Sequence, residues 1–151
     1  DILILTLFLL LFLTVHMLQG LCWYTITNEA GYVIAEINDV FGIDKITTLT
    51  CKLTIQAPDK NQGVLLQFTG FNVTDSEDCH DDTLIIFDGP DTSSPELSPV
   101  NGLCGDTNPG NYMSSGDTLT LMLLTDQLGN GYDENEYSSM FFATWTAFTG
   151  T

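Results

Sequence analysis

From Thr47 onward, apolar residues come in short runs cut by Gly, Pro, Asn and Asp, and no stretch beyond residue 40 keeps a 3.6-residue apolar period. The runs at 51–55, 63–68, 83–87, 119–125 and 141–145 have strand length and composition. In the last of them Phe141, Ala143 and Trp145 alternate onto one face, while Phe142, Thr144 and Thr146 take the other. The pattern predicts an all-β, two-layer antiparallel sandwich in which Phe142 is exposed or lies against another element. The amino-terminal stretch differs in kind. Ile2 to Leu18 is almost wholly apolar, interrupted by Thr6, Thr14 and His16, and ends at Gln19-Gly20. It is similar to the hydrophobic region of a signal peptide with cleavage near Gly20. A retained segment would serve as a membrane tether or pack into an assembly, although its length is short for spanning a bilayer. The expected organisation is residues 1–20 as signal peptide or retained hydrophobic segment, and 21–151 as one β domain.

With 151 residues and 44% hydrophobic content the chain suits one domain with a real core. Charge narrows its partners. Twenty acids against three basic residues give −17, a field that repels nucleic acid and anionic lipid headgroups, so nucleic-acid binding is excluded. Most of the acids serve solubility. Two groups are clustered instead: Asp75, Glu77, Asp78, Asp81 and Asp82 around Cys79, and Asp133, Glu134 and Glu136 following Asp126. Clustered carboxylates repel one another unless a hard cation sits among them, and calcium accepts oxygen ligands from flexible loops with tolerant geometry. The four cysteines allow three pairings, among which the sequence itself does not choose. The chain has no C-x-x-C pair, which disfavours a structural zinc site, and disulfides imply an oxidising, extracellular compartment.

One order of residues is more specific than any of this. Phe68-Thr-Gly-Phe71, Cys79-His-Asp-Asp82 followed by Thr-Leu-Ile-Ile-Phe-Asp-Gly89, and Leu103-Cys104-Gly105 place a cysteine, a carboxylate three residues later, an apolar strand and a turn glycine in succession. Upstream lies Cys51-Lys-Leu-Thr-Ile55 with Ala57-Pro58, and downstream Leu119 to Asp126 and Phe141 to Trp145. This order resembles the CUB domain family of extracellular β-sandwiches. The segment between Cys22 and Cys51 departs from it, lacking the family's Ser-Pro-x-Tyr-Pro turn, and Leu53 stands where Trp is common. The resemblance implies disulfides Cys22–Cys51 and Cys79–Cys104. It also implies a calcium site, onto which Asp82 and Asp126 match. The family's Glu falls on Thr74, with Asp75 next door as a substitute and Asn130 as an amide donor.

Asn72-Val73-Thr74 is an N-glycosylation sequon. Catalysis finds little support: beyond the apolar segment His80 is the one histidine, it lies in the acid cluster, and no G-x-S-x-G elbow is present. Tyr112, Tyr132 and Tyr137 fall in expected loops, where they serve local packing or anchor a partner. The resulting reading is a secreted, non-enzymatic, calcium-binding CUB-like interaction module that receives Lys or Arg side chains of an extracellular protein at its acidic end. A structural subunit of a self-associating extracellular assembly and a carbohydrate-binding defence protein are the alternatives. Membrane contact is expected only if residues 1–20 are retained.

Overall fold

The structure is a computed structural model that describes residues 15–16, 23–36, 49–125 and 139–150. Nine strands occur among these: β1 (Val15–His16), β2 (Trp23–Thr27), β3 (Ala30–Glu36), β4 (Leu49–Gln56), β5 (Gln62–Asn72), β6 (Asp82–Phe87), β7 (Asn111–Met113), β8 (Thr118–Thr125) and β9 (Met140–Thr149). They form two sheets, one of five strands in the order β1-β3-β9-β5-β7 and one of four in the order β2-β4-β8-β6. The expected sandwich is therefore present. Its strand pairs are antiparallel except at two edges, where β1 runs parallel to β3 and β2 parallel to β4. No helix among the described residues is long and apolar enough to cross a membrane.

Period-two alternation decides which residues enter the core. Val33 and Ala35 on β3, Val64, Leu66 and Phe68 on β5, and Phe141, Ala143 and Trp145 on β9 are buried on the inner face of one sheet. Leu53 and Ile55 on β4, Leu84 and Ile86 on β6, and Leu119, Leu121 and Leu123 on β8 face them from the other. Leu53, at the position where the family commonly has Trp, is completely buried. A bulge between Phe68 and Gly70 resets the alternation on β5, so that Phe71 and Val73 also turn inward. Phe68 anchors this region, packing edge-on against Phe71, Tyr112 and Phe141 at 5.7, 6.1 and 5.7 Å between ring centroids. Tyr112 thus lies on β7 and not in a loop, and burial raises its phenol above the ordinary value.

The outer face of the four-stranded sheet is partly covered by its own chain. Thr54 and Thr120, opposite each other on β4 and β8, share a hydrogen bond of 3.0 Å. Thr120 Oγ1 also donates to the carbonyl of Gly89 at 2.7 Å. The segment after β6 then returns along the β6 edge through Leu97 N–H to the Ile86 carbonyl (2.8 Å), and Ser98 Oγ accepts from the Ile86 N–H. An edge protected in this way offers fewer free backbone groups to other chains.

Cys79 and Cys104 form the expected disulfide, with Cα atoms 5.5 Å apart and 25 residues of separation. By the chain-entropy account a loop of this size contributes about 3–4 kcal/mol. Cys51 is buried on β4, and Cys22, its expected partner, lies outside the described residues. The expected leader, residues 1–20, also falls outside them apart from the two residues of β1.

Two substitutions test this packing. Leu121→Ala, at a fully buried central position, should cost about 2–5 kcal/mol in a denaturant titration. Gly31→Ala should destabilise by about 1–3 kcal/mol, because an added Cβ would lie 2.3 Å from Cη2 of the buried Trp145. Thr144→Ala on the outer face should fall within about 0.5 kcal/mol of the wild type.

Candidate metal centre

The acid cluster around Cys79 separates into two populations once the chain is folded. Glu77 and Asp78 belong to a single 3₁₀ turn, Glu77–Cys79, that brings the cysteine round to Cys104. Asp78 and Cys79 both have positive φ, at 57° and 50°, a backbone region in which aspartate is better tolerated than most residues. The turn is held by Cys79 N–H to the Ser76 carbonyl and by Asp81 N–H to Ser76 Oγ, and Asn101 donates to Asp78. Asp75, Glu77 and Asp78 are exposed on it. His80 is 84% exposed, its Nδ1 3.7 Å from Asp81, which fits a solvated loop histidine.

Asp82 is different. As the first residue of β6 it shares the inward parity of Leu84 and Ile86, and its side chain is 7% exposed. A carboxylate taken out of water needs hydrogen bonds or an opposite charge to offset its desolvation. Ser139, just ahead of β9 and 2% exposed, donates to Asp82 Oδ2 at 2.5 Å. Its single proton is thereby committed. Ser139 Oγ accordingly accepts from Thr74, from the backbone N–H at 2.9 Å and from the hydroxyl at 3.0 Å. The resulting relay runs from Thr74 through Ser139 to Asp82 and leaves the lone pairs of the Thr74 hydroxyl available.

Thr125 completes the inner ring. It is the ladder partner of Asp82, so both side chains point into the same end of the sandwich, and it is 1% exposed. Among the described residues its hydroxyl has no hydrogen-bond partner. Most buried hydroxyls are satisfied, so this oxygen, on the ladder partner of a buried carboxylate, is open to a water or a cation. Every side-chain donor atom contributed by Thr74, Asp82, Thr125 and Ser139 is oxygen, the ligand type hard cations take.

Of the residues expected from sequence, the structure brings Thr74 to Asp82 through Ser139. It places the Asp75 carboxylate elsewhere, 3.9 Å from Cys104 Sγ and 3.6 Å from where a Cβ on Gly105 would stand. Asp126 and Asn130 lie outside the described residues, although Thr125 and Ser139, which flank 126–138, both meet Asp82 at this end. Among the described residues no three His, Cys, Asp or Glu side chains converge as ligands. Sequence reasoning missed Thr125 and Ser139. Thr125 was open to discovery by counting strand parity forward from Leu121 and Leu123, whereas nothing in the local sequence distinguishes Ser139 from Ser138.

Comparison with known proteins matches this architecture. The family model described as CUB domain matches residues 22–133. Zinc metalloproteinase nas-39 of Caenorhabditis elegans is 37% identical over 76 residues, covering 50% of this chain and 8% of that protein. Procollagen C-endopeptidase enhancer 1 of Rattus norvegicus is 32% identical over 108 residues, covering 71% of this chain and 21% of its own length. The chain thus spans a small part of the curated relatives it matches. Among solved structures, the MASP-1 CUB2 domain bound to Ca2+ superposes with a TM-score of 0.55 at 18% identity, over 81% of this chain and 96% of that one. With the sandwich, the Cys79–Cys104 disulfide and the family match in agreement, the chain belongs to the CUB domain family.

Proposed function

We propose that this chain is a secreted, non-catalytic protein-interaction module whose Asp82 end binds one calcium ion and there receives a lysine or arginine side chain of an extracellular partner. The observation that carries the reading is the pairing of a 7%-exposed carboxylate with a buried hydroxyl that has no partner among the described residues, Asp82 opposite Thr125. A cation at that point would neutralise the carboxylate and give the hydroxyl, directly or through water, an electrophilic partner. Asp82 and Thr125 would hold it, with Thr74 on the rim in the place of the family's Glu and Asp126 and Asn130 completing the oxygen set from the adjoining segment. That the related MASP-1 CUB2 domain is known bound to Ca2+ supports the choice of metal. Calcium is preferred over magnesium because it accepts mixed hydroxyl, carboxylate and amide oxygens with tolerant geometry, whereas magnesium demands near-octahedral placement.

The ion's role is organisation. Drawing carboxylates inward relieves their mutual repulsion and orders the loops, while oxygens left facing out attract a basic side chain. The net charge of −17 steers such partners toward the domain and repels acidic ones. Catalysis has no part in this account, in which Asp82 serves as a cation ligand and His80 faces solvent.

The domain should melt at a higher temperature in millimolar calcium than in chelator, because a ligand that binds only the folded state stabilises it by mass action. Asp82→Asn should abolish the shift; identical melting curves with no heat of binding would contradict the reading. A second variant separates ligation from packing. Thr125→Val removes the orphan hydroxyl at nearly constant volume, so in chelator it should be neutral or stabilising. In calcium it should weaken binding about tenfold, roughly 1.4 kcal/mol, and unchanged affinity would remove Thr125 from the site.

A further inference from the structure

The outer face of the five-stranded sheet presents an exposed aromatic beside the chain's one N-x-S/T sequence. Phe142 on β9 is 38% exposed and lies in register with Ile34 on β3 and Gly70 on β5. The absence of a side chain at Gly70 leaves room for the ring, whose Cδ2 would be 3.0 Å from a Cβ placed there. Asn72 follows Gly70 by two residues on the same outward face and pairs with Met140. This makes Asn72 and Phe142 diagonal cross-strand neighbours, about 7–8 Å apart at the backbone and within reach of large side groups. Asn72 is exposed, while Val73 between the sequon positions is fully buried.

We propose that Asn72 carries an N-linked glycan whose first sugar packs its apolar face on the ring of Phe142, so that glycan and sheet together cover this part of the surface. The proposal rests on the reading of the chain as secreted. In the attachment step the Asn72 amide nitrogen attacks the anomeric carbon of an oligosaccharide held on a lipid pyrophosphate. The new carbon–nitrogen bond replaces the carbon–oxygen bond to phosphate. Lipid pyrophosphate leaves with that bond's electron pair, and one amide proton is released.

The folded sequon is not available for this step. Val73 exchanges both backbone hydrogen bonds with Gly105, at 3.0 and 2.7 Å, and the Thr74 hydroxyl is engaged by Ser139. Transfer therefore takes place on the unfolded chain, and folding afterwards delivers the sugar to Phe142. The consequence for recognition is that this sheet face is covered, leaving the acidic end as the surface open to a protein partner.

The full chain secreted from cultured animal cells, digested and analysed by mass spectrometry, should show a glycan on the peptide containing Asn72. An amidase specific for N-glycans should release it and leave aspartate at that position. A secreted protein with Asn72 unmodified would overturn the proposal. Folded, unglycosylated chain offered to the transferase with its lipid-linked donor should stay unmodified, whereas reduced and denatured chain should be modified; modification of the folded form would overturn the order of events. Packing is read by a cycle of four melting temperatures, with and without glycan, in wild type and in Phe142→Ser. The glycan should raise the wild-type melting temperature by about 2–4 °C and leave the variant unmoved, and equal shifts in both would refute the contact. Asn72→Gln should retain any calcium-dependent melting shift, so failure of the glycan proposal and failure of the calcium reading are distinguishable.

Discussion

The inner faces of two sheets must be filled with apolar side chains at every second residue, and that requirement does not stop where the apolar layer ends. On β6 and β8 it is met by Leu84, Ile86, Leu119, Leu121 and Leu123, all essentially inaccessible to solvent. One step further along the same parity, the inward positions are Asp82 and Thr125. Strand geometry thus forces a carboxylate and a hydroxyl into the end of the core, where their hydration is lost. The local arrangement answers that cost: Ser139 donates to Asp82, Thr74 supports Ser139, and the disulfide from Cys79 fixes the turn that leads into β6. The acidic end is therefore a product of the sandwich and not an appendage to it.

The same register organises the opposite side of the five-stranded sheet. Phe141 goes inward to pack on Phe68, so Phe142 goes outward over Gly70. The bulge at Phe68/Gly70 sets Asn72 outward and Val73 inward, which places the sequon asparagine at the surface and its threonine in the polar relay. One irregularity in one strand positions both the sequon asparagine and the rim threonine of the proposed cation site. A replacement that moved the bulge would disturb both together.

Much of this was legible in the sequence because alternation in the long strands is strong. Phe141, Ala143 and Trp145 are inward as the pattern requires, and the resemblance carried by Cys79-His-Asp-Asp82 and Leu103-Cys104-Gly105 implied the Cys79–Cys104 disulfide that the fold shows; the burial of Asp82 emerged only with the fold. The early strands were harder. β2 and β3 lie where the family's usual turn is missing, and the small residues Ala30, Gly31 and Ala35 give a weak strand signal even though Ala35 is completely buried; Gly31 is small because Trp145 occupies the space beside it. Side-chain geometry at the Asp82 end was the least legible. Neighbours at a strand end point to opposite sides, so whether Thr74 or Asp75 turns toward Asp82 depends on a serine 65 residues away. Such a contact follows from tertiary pairing and leaves no local trace.

A crystal structure of the domain determined in millimolar calcium tests the central claim most directly. The account predicts an ion about 2.3–2.6 Å from an Asp82 carboxylate oxygen, with the Thr125 hydroxyl or a water bound to it in the coordination shell. An Asp82 bonded to Ser139 with no ion beside it, and a Thr125 hydroxyl still without a partner at that calcium concentration, would contradict it.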